Sequence, residues 1–210
     1  MSHKGELHMQ QLLCLGDSIT DCERLASPDG LGYGYVHLVH QFLNQKHPWK
    51  TTNRGVNGFT LNRVLENLRY SFPHNAPDAV TLLIGINDVG LWMANPSVPL
   101  FHQVTQFRLT LTKLLKILSQ STASIYLLEP FIFPYPEEYL NWFEPLSAVS
   151  QTMEELCATY QARFIPLHKQ LNHLASQVGY PVLTTDGIHL TPAGHRIIAA
   201  KLIENWEDPA

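Results

Sequence analysis

The stretch Leu12-Leu13-Cys14-Leu15-Gly16-Asp17-Ser18-Ile19-Thr20 decides how this chain is read. Its apolar half is short and bounded by turn residues, the pattern of a buried strand. Ser18 would then lie just past a strand's carboxyl end, where open α/β sheets keep their sites. A serine hydroxyl becomes a nucleophile only beside a base that takes its proton. It also needs donors that hold the oxyanion it creates. The rest of the chain can be searched for both.

Outward from that stretch, β-like and helical patterns alternate. Residues 21–34 are rich in Gly, Pro and Asp and read as a loop. Residues 35–44 carry Val36, Val39 and Leu43 on one helical face. A β-prone run at 50–53 ends at Arg54-Gly55-Val56-Asn57-Gly58, and Thr60 can cap a helix bearing Leu61, Val64, Leu65 and Leu68. The clearest strand is 79–84, stopping at Gly85-Ile86-Asn87-Asp88. A helix over 100–118 carries Phe101, Val104, Leu111, Leu114, Leu115 and Leu118, and a strand follows at 124–128. Trp142, Leu146, Val149, Met153, Leu156 and Tyr160 form a helical core stripe. A strand at 163–167 and a helix with Leu171, Leu174 and Val178 lead to Thr184-Thr185-Asp186-Gly187-Ile188-His189. Thr191-Pro192 then opens a last helix to about residue 206. This order predicts an α/β fold, a three-layer α/β/α sandwich around about five parallel strands.

Composition narrows the function. At 210 residues with 45% hydrophobic content, residues 1–210 suit one domain. The net charge of −4 and scattered basic residues argue against nucleic acid. No apolar run reaches the ~18 residues of a membrane span. Residues 1–10 lack a signal-like apolar stretch, so the cytoplasm is the expected location. Three cysteines without paired spacing fit a reducing compartment. Cys14 and Cys157 read as small buried residues, and Cys22 as a possible pocket residue.

A parallel sheet sets its strand ends side by side, so signals at Ser18, Gly55, Asn87 and His189 converge. Asp186 and His189 are three apart in a turn, which lets the carboxylate meet the imidazole Nδ1–H and leaves Nε2 for Ser18. Gly55 offers an amide unobstructed by a side chain, and Asn87 a side-chain NH₂. With the Ser18 amide these make a three-donor oxyanion hole. Asp17 and Asp88 read as loop-stabilising hydrogen bonders. The remaining histidines, His37, His40, His168, His173 and His195 among them, show no ligand spacing joined to an acidic partner. His37 and His40 read as a solvated face.

These blocks, Gly16-Asp17-Ser18, Asn53-x-Gly55-x-x-Gly58, Gly85-x-Asn87-Asp88 and Asp186-x-x-His189, resemble those of the SGNH hydrolases, the GDSL family of esterases and lipases. The likeness runs from Gly16 to about Gly194. It implies a flavodoxin-like sheet, Ser18, Asp186 and His189 as triad, and Ser18, Gly55 and Asn87 as oxyanion donors, with no metal and no organic cofactor. A finer resemblance, through Gly16 to Asp21, Gly32-Tyr33-Gly34-Tyr35-Val36 and Gly85 to Val89, is to cytoplasmic bacterial members related to acetylxylan esterases. In that group the first block continues Asp-Cys-Gly-Arg, whereas this chain has Asp21-Cys22-Glu23-Arg24. The resemblance implies a small-molecule ester substrate, acetylated oligosaccharide included, and is compatible with a homo-oligomer. Two other readings stay open. The run Phe131-Ile132-Phe133-Pro134-Tyr135 could shape a longer acyl slot, as in lysophospholipases or thioesterases. A non-catalytic carbohydrate- or lipid-binding descendant would share the fold, although the complete set of reactive residues argues against it.

Overall fold

The computed structural model describes residues 9–71, 76–120 and 124–207. Most of the N-terminal stretch considered above therefore lies outside the described residues. The elements are β1 (Gln10–Gly16), α1 (Ser18–Asp21), α2 (Tyr35–Leu43), β2 (Trp49–Gly55), α3 (Leu61–Ser71), β3 (Ala79–Leu83) and α4 (Ile86–Ala94). They continue with α5 (Leu100–Leu118), β4 (Ser124–Leu128), a 3₁₀ turn (Glu137–Trp142), α6 (Phe143–Tyr160) and β5 (Arg163–Ile165). The last three are α7 (His168–Val178), α8 (Tyr180–Leu183) and α9 (Pro192–Glu204).

The five strands form one all-parallel sheet in the order β2-β1-β3-β4-β5. Both faces are covered, which is why the inner strands read as continuous apolar runs. Successive side chains point to opposite faces. Leu12 and Cys14 join the layer that holds α2, α7 and α9. Leu13 and Leu15 join the layer of α3, α5 and α6. Tyr126 and Leu128 split from Ile125 and Leu127 in the same way. The α5 stripe of Leu111, Leu114, Leu115 and Leu118 is fully buried, each side chain contributing about 2 kcal/mol of burial. Among the described residues no helix is long and apolar enough to cross a membrane.

Ile86–Ala94, to which the sequence pattern assigned no element, is a helix. Its register begins at Gly85, whose φ of +127° turns the chain out of β3. Phe101 does not join the core face of α5. It lies in the helix's first turn and is 75% exposed, on a side of that turn that no described element covers. Val178 at the end of α7 is likewise exposed.

Candidate active site

Because all strands are parallel, the ends of β1, β2 and β3 open on one edge. Ser18 stands two residues beyond β1, as the first residue of the one-turn helix α1. Asp17 caps that helix: its Oδ1 accepts from the Ile19 amide at 3.0 Å. The second Asp17 oxygen is buried without a hydrogen-bond partner among the described residues. Burial pushes this carboxyl up to about 7, against the pull of the Ile19 amide and of nearby His189. Asp88 accepts from the Leu61 amide at 3.1 Å and is likewise pushed up to about 7, by burial first. Both aspartates hold backbone, as their positions suggested.

The acid–base segment comes from the loop between α8 and α9. Asp186 Oδ1 accepts from the amides of Ile188 (2.9 Å) and His189 (2.7 Å). Its Oδ2 lies 2.7 Å from His189 Nδ1. Partial burial raises this carboxyl, but the donors from His189 and Ile188 outweigh it and hold Asp186 below its usual range. Gly187 makes the turn feasible. Its φ is +92°, and a Cβ there would stand 2.1 Å from the Tyr135 carbonyl oxygen. The Phe133 amide donates to the Gly187 carbonyl at 2.9 Å, fixing the loop to the chain beyond β4. His189 Nε2 then lies 2.9 Å from Ser18 Oγ.

A cavity of about 390 Å³ opens over this serine, lined in part by Ser18, Asn57, Gly58, Asn87 and His189. That volume suits a small ligand. Asn87 Nδ2 donates to the Phe59 carbonyl at 3.0 Å, leaving its other amide hydrogen uncommitted. The expectation for Gly55 is corrected: Gly55 does not line the cavity, and its amide donates to Asn53 Oδ1 at 2.9 Å. A Cβ on Gly55 would meet the Asp21 nitrogen at 2.2 Å, so the glycine is needed for packing against α1. Gly58, three residues on, reaches the cavity instead.

Sequence reasoning missed Asn57 and His195, which line the same cavity; only their nearness in sequence to Gly58 and His189 pointed to them. Glu23, the departure from Asp-Cys-Gly-Arg that bears on the turn or the pocket rim, lines it too. Cys22 does line the cavity, its Sγ 3.4 Å from His195 Nε2. The run from Phe131 to Tyr135 is corrected as an acyl slot: Phe131, Ile132 and Phe133 are fully buried in the two core layers. His37 does have an acidic partner, Asp29, at 2.8 Å, but its Nε2 meets the Gln41 side-chain amide and the pair stays on the surface. Among the described residues, no group of three or more His, Cys, Asp or Glu side chains is arranged to hold a metal ion.

The chain is 27% identical to an acetylxylan esterase of Geobacillus stearothermophilus over 200 residues, covering 90% of each chain. A crystal structure of a catalytic mutant of Axe2, an acetylxylan esterase of that organism, superposes with a TM-score of 0.82 at 24% identity, covering 94% of this chain and 95% of that one. LAE5, an alpha/beta hydrolase enzyme from the metagenome of Lake Arreo, Spain, gives a TM-score of 0.80 at 22% identity, covering 93% and 94%. At these identities the superpositions establish the fold. The family model of the GDSL-like lipases and acylhydrolases matches residues 14–197. A match over most of the chain settles its membership: this protein belongs to the GDSL-like lipase/acylhydrolase family and is a carboxylic ester hydrolase of the serine type.

Proposed function

We propose that Ser18, His189 and Asp186 form the catalytic triad and that the enzyme removes short acyl groups, acetyl above all, from carbohydrate or other small esters. The observation that carries this is the unbroken chain from Ser18 Oγ to His189 Nε2 (2.9 Å) and from His189 Nδ1 to Asp186 Oδ2 (2.7 Å). Ser18 Oγ attacks the ester carbonyl carbon while His189 Nε2 takes the hydroxyl proton. Asp186 holds the imidazole in the tautomer that leaves Nε2 free to accept, and stabilises the imidazolium that forms. The tetrahedral oxyanion is held by the Ser18 and Gly58 amides and the free Asn87 hydrogen. Neither amide meets an acceptor among the described residues. His189 then protonates the leaving alcohol, and a water repeats the sequence on the acyl-enzyme.

Support for a short acyl group comes from the small cavity and from the acetylxylan esterase likeness. The longer-chain alternative loses its structural basis with the burial of Phe131, Ile132 and Phe133. The test is initial rates on p-nitrophenyl acetate, butyrate, octanoate and palmitate, with Ser18→Ala as control. Rates that fall steeply beyond acetyl and vanish in the variant are expected. A maximum at octanoate or longer would overturn the short-acyl reading, and undiminished turnover in Ser18→Ala would overturn the serine mechanism.

A further inference from the structure

The cavity wall carries one feature that the hydrolytic step does not use. Cys22 and Glu23 follow α1 directly, and both have left-handed backbones, with φ of +38° and +62°. Such angles are unfavourable for residues with a Cβ and persist where the surroundings impose them. Here they do. The Cys22 carbonyl accepts from the Tyr33 amide at 2.9 Å, and the Glu23 carbonyl accepts from the Ala26 amide at 2.9 Å. The Cys22 amide donates back to the Ser18 carbonyl at 2.9 Å. The backbone is thus clamped on both sides, and the Glu23 side chain is placed on the cavity wall beside Ser18 and His189.

The Glu23 side chain is exposed, and no described residue forms an ion pair or hydrogen bond with its carboxylate. The cation next in sequence does not neutralise it. Arg24 is turned the other way, its Nε donating to the Gly55 carbonyl and its guanidinium 4.0 Å from Asp21. Among the described residues, no lysine or arginine lines the cavity. His195, which does, is held neutral, since burial and then the proximity of His189 depress it to about 4. An anionic leaving group reaching this wall would meet an unpaired, solvent-exposed carboxylate and no counter-charge among the lining residues.

We infer that Glu23 is a specificity-determining residue that disfavours esters whose alcohol or thiol part is anionic, and so biases this site towards uncharged or cationic alcohols. This rests on hydrolysis at Ser18 and deepens that reading. It lowers the relative rates of phosphate-bearing lipid and coenzyme thioesters on charge, independently of acyl length. A unit charge across a half-exposed wall changes relative rates by about 3- to 10-fold at low salt. The effect fades as ionic strength brings the screening length to about 8 Å and below.

The experiment uses three aryl acetates with the same acetyl group: phenyl acetate, its para-sulfonate and its para-trimethylammonium derivative. The kcat/KM of each is measured at low and high salt for the wild type, Glu23→Gln, Glu23→Lys and Ser18→Ala. In the wild type the sulfonate-to-phenyl ratio is expected to be about 3- to 10-fold lower than in Glu23→Gln. Glu23→Lys should carry it further, the trimethylammonium ratio should move oppositely, and 0.5 M salt should compress all differences. Ratios equal within twofold across the three Glu23 side chains would overturn the inference while leaving ester hydrolysis standing. Turnover no greater than in Ser18→Ala on all three acetates would overturn the hydrolytic reading and the inference with it.

Discussion

Asn53 is the residue whose loss tests the architecture of the site most directly. It is 5% exposed, and its side chain ties three segments together. Nδ2 donates to the carbonyls of Thr20 (2.7 Å) and Leu31 (2.8 Å), with a longer contact to Asp21 (3.4 Å). Oδ1 accepts from the Gly55 amide at 2.9 Å. Thr20 and Asp21 are in the same single turn as Ser18, so this amide fastens the nucleophile's helix to the end of β2. In Asn53→Ala, one buried N–H and at least two buried carbonyls lose their partners. At about 1–3 kcal/mol for each orphaned group, partly relieved by water entering the space, the expected loss is about 3–5 kcal/mol. That is a large share of the ~5–15 kcal/mol that keeps a domain folded. Urea unfolding followed by tryptophan fluorescence would show a lower midpoint with an unchanged slope. Turnover of p-nitrophenyl acetate by the folded fraction should fall through kcat, because α1 is loosened. Asn53→Asp is the sharper variant. It keeps the shape but places a carboxylate oxygen against two carbonyls, so it should be at least as unstable as the alanine variant at pH 7. An Asn53→Ala protein within 1 kcal/mol of the wild type, with kcat intact, would refute the reasoning.

The two glycines of the same turn should respond unequally. Gly55→Ala drives a Cβ to 2.2 Å from the Asp21 nitrogen and 2.6 Å from the Thr20 carbonyl carbon, backbone that cannot step aside, for a loss of about 3 kcal/mol. Gly58→Ala meets no heavy atom within 4 Å, and its φ of +73° should alone cost it, about 1–2 kcal/mol by urea unfolding; equal losses at both positions would contradict this packing. The buried titratable groups predict two opposing pH slopes. His195 is depressed from 6.5 to about 4, so the unfolded chain takes up a proton that the folded chain refuses, and stability falls as pH drops from 6.5 to 4. Asp17 and Asp88 are each raised from 3.8 to about 7, so stability falls as pH rises across that span. Each slope amounts to about 2–4 kcal/mol in full. Measured from pH 4 to 8, stability should fall more steeply with rising pH in His195→Gln than in the wild type, and less steeply in Asp17→Asn, where Asp88 keeps its share of the slope; a variant with an unaltered slope would show that its group is not the one titrating.

What the sequence reveals and what it hides follow from the range of the forces involved. β1 and β3 were legible because burial on both faces leaves a near-continuous apolar run, interrupted in β3 by Thr81 alone. The Asp186–His189 pair was legible because both partners sit in one turn, within reach of a local geometric argument. The helix over Ile86–Ala94 was not. Its Gly90, Leu91, Trp92 and Met93 give no clean period, since one side packs on α6 and the 3₁₀ turn while Leu91 faces solvent. Gly55 and Gly58 are equivalent to a reader of sequence: two glycines in one loop, each able to present an amide. What separates them is the capture of one amide by Asn53 Oδ1 and the approach of Asp21 from another segment. Neither leaves a local trace. The exposure of Phe101 is the same lesson in reverse, because periodicity reports a face and not whether anything covers it.

Two imidazoles meet the cavity, and their neighbours decide which can act as a base. His189 and His195 are six apart in sequence, and each has a potential nucleophile beside Nε2: Ser18 Oγ at 2.9 Å and Cys22 Sγ at 3.4 Å. At His189, Nδ1 meets a carboxylate, so Nδ1 carries the proton and Nε2 offers its lone pair to the serine. At His195, Nδ1 faces the Tyr35 amide at 3.3 Å and must accept from it. Its proton therefore sits on Nε2, directed at the thiol, and that ring has no lone pair left for Cys22. Burial also raises the Cys22 thiol above its ordinary value and holds His195 neutral, so neither half of that pair is set for proton transfer near pH 7. The thiol is the better nucleophile in isolation, and the hydroxyl is the one with a base. A carboxylate on one ring nitrogen, against a backbone N–H on the other, favours Ser18 over Cys22 as the proposed nucleophile.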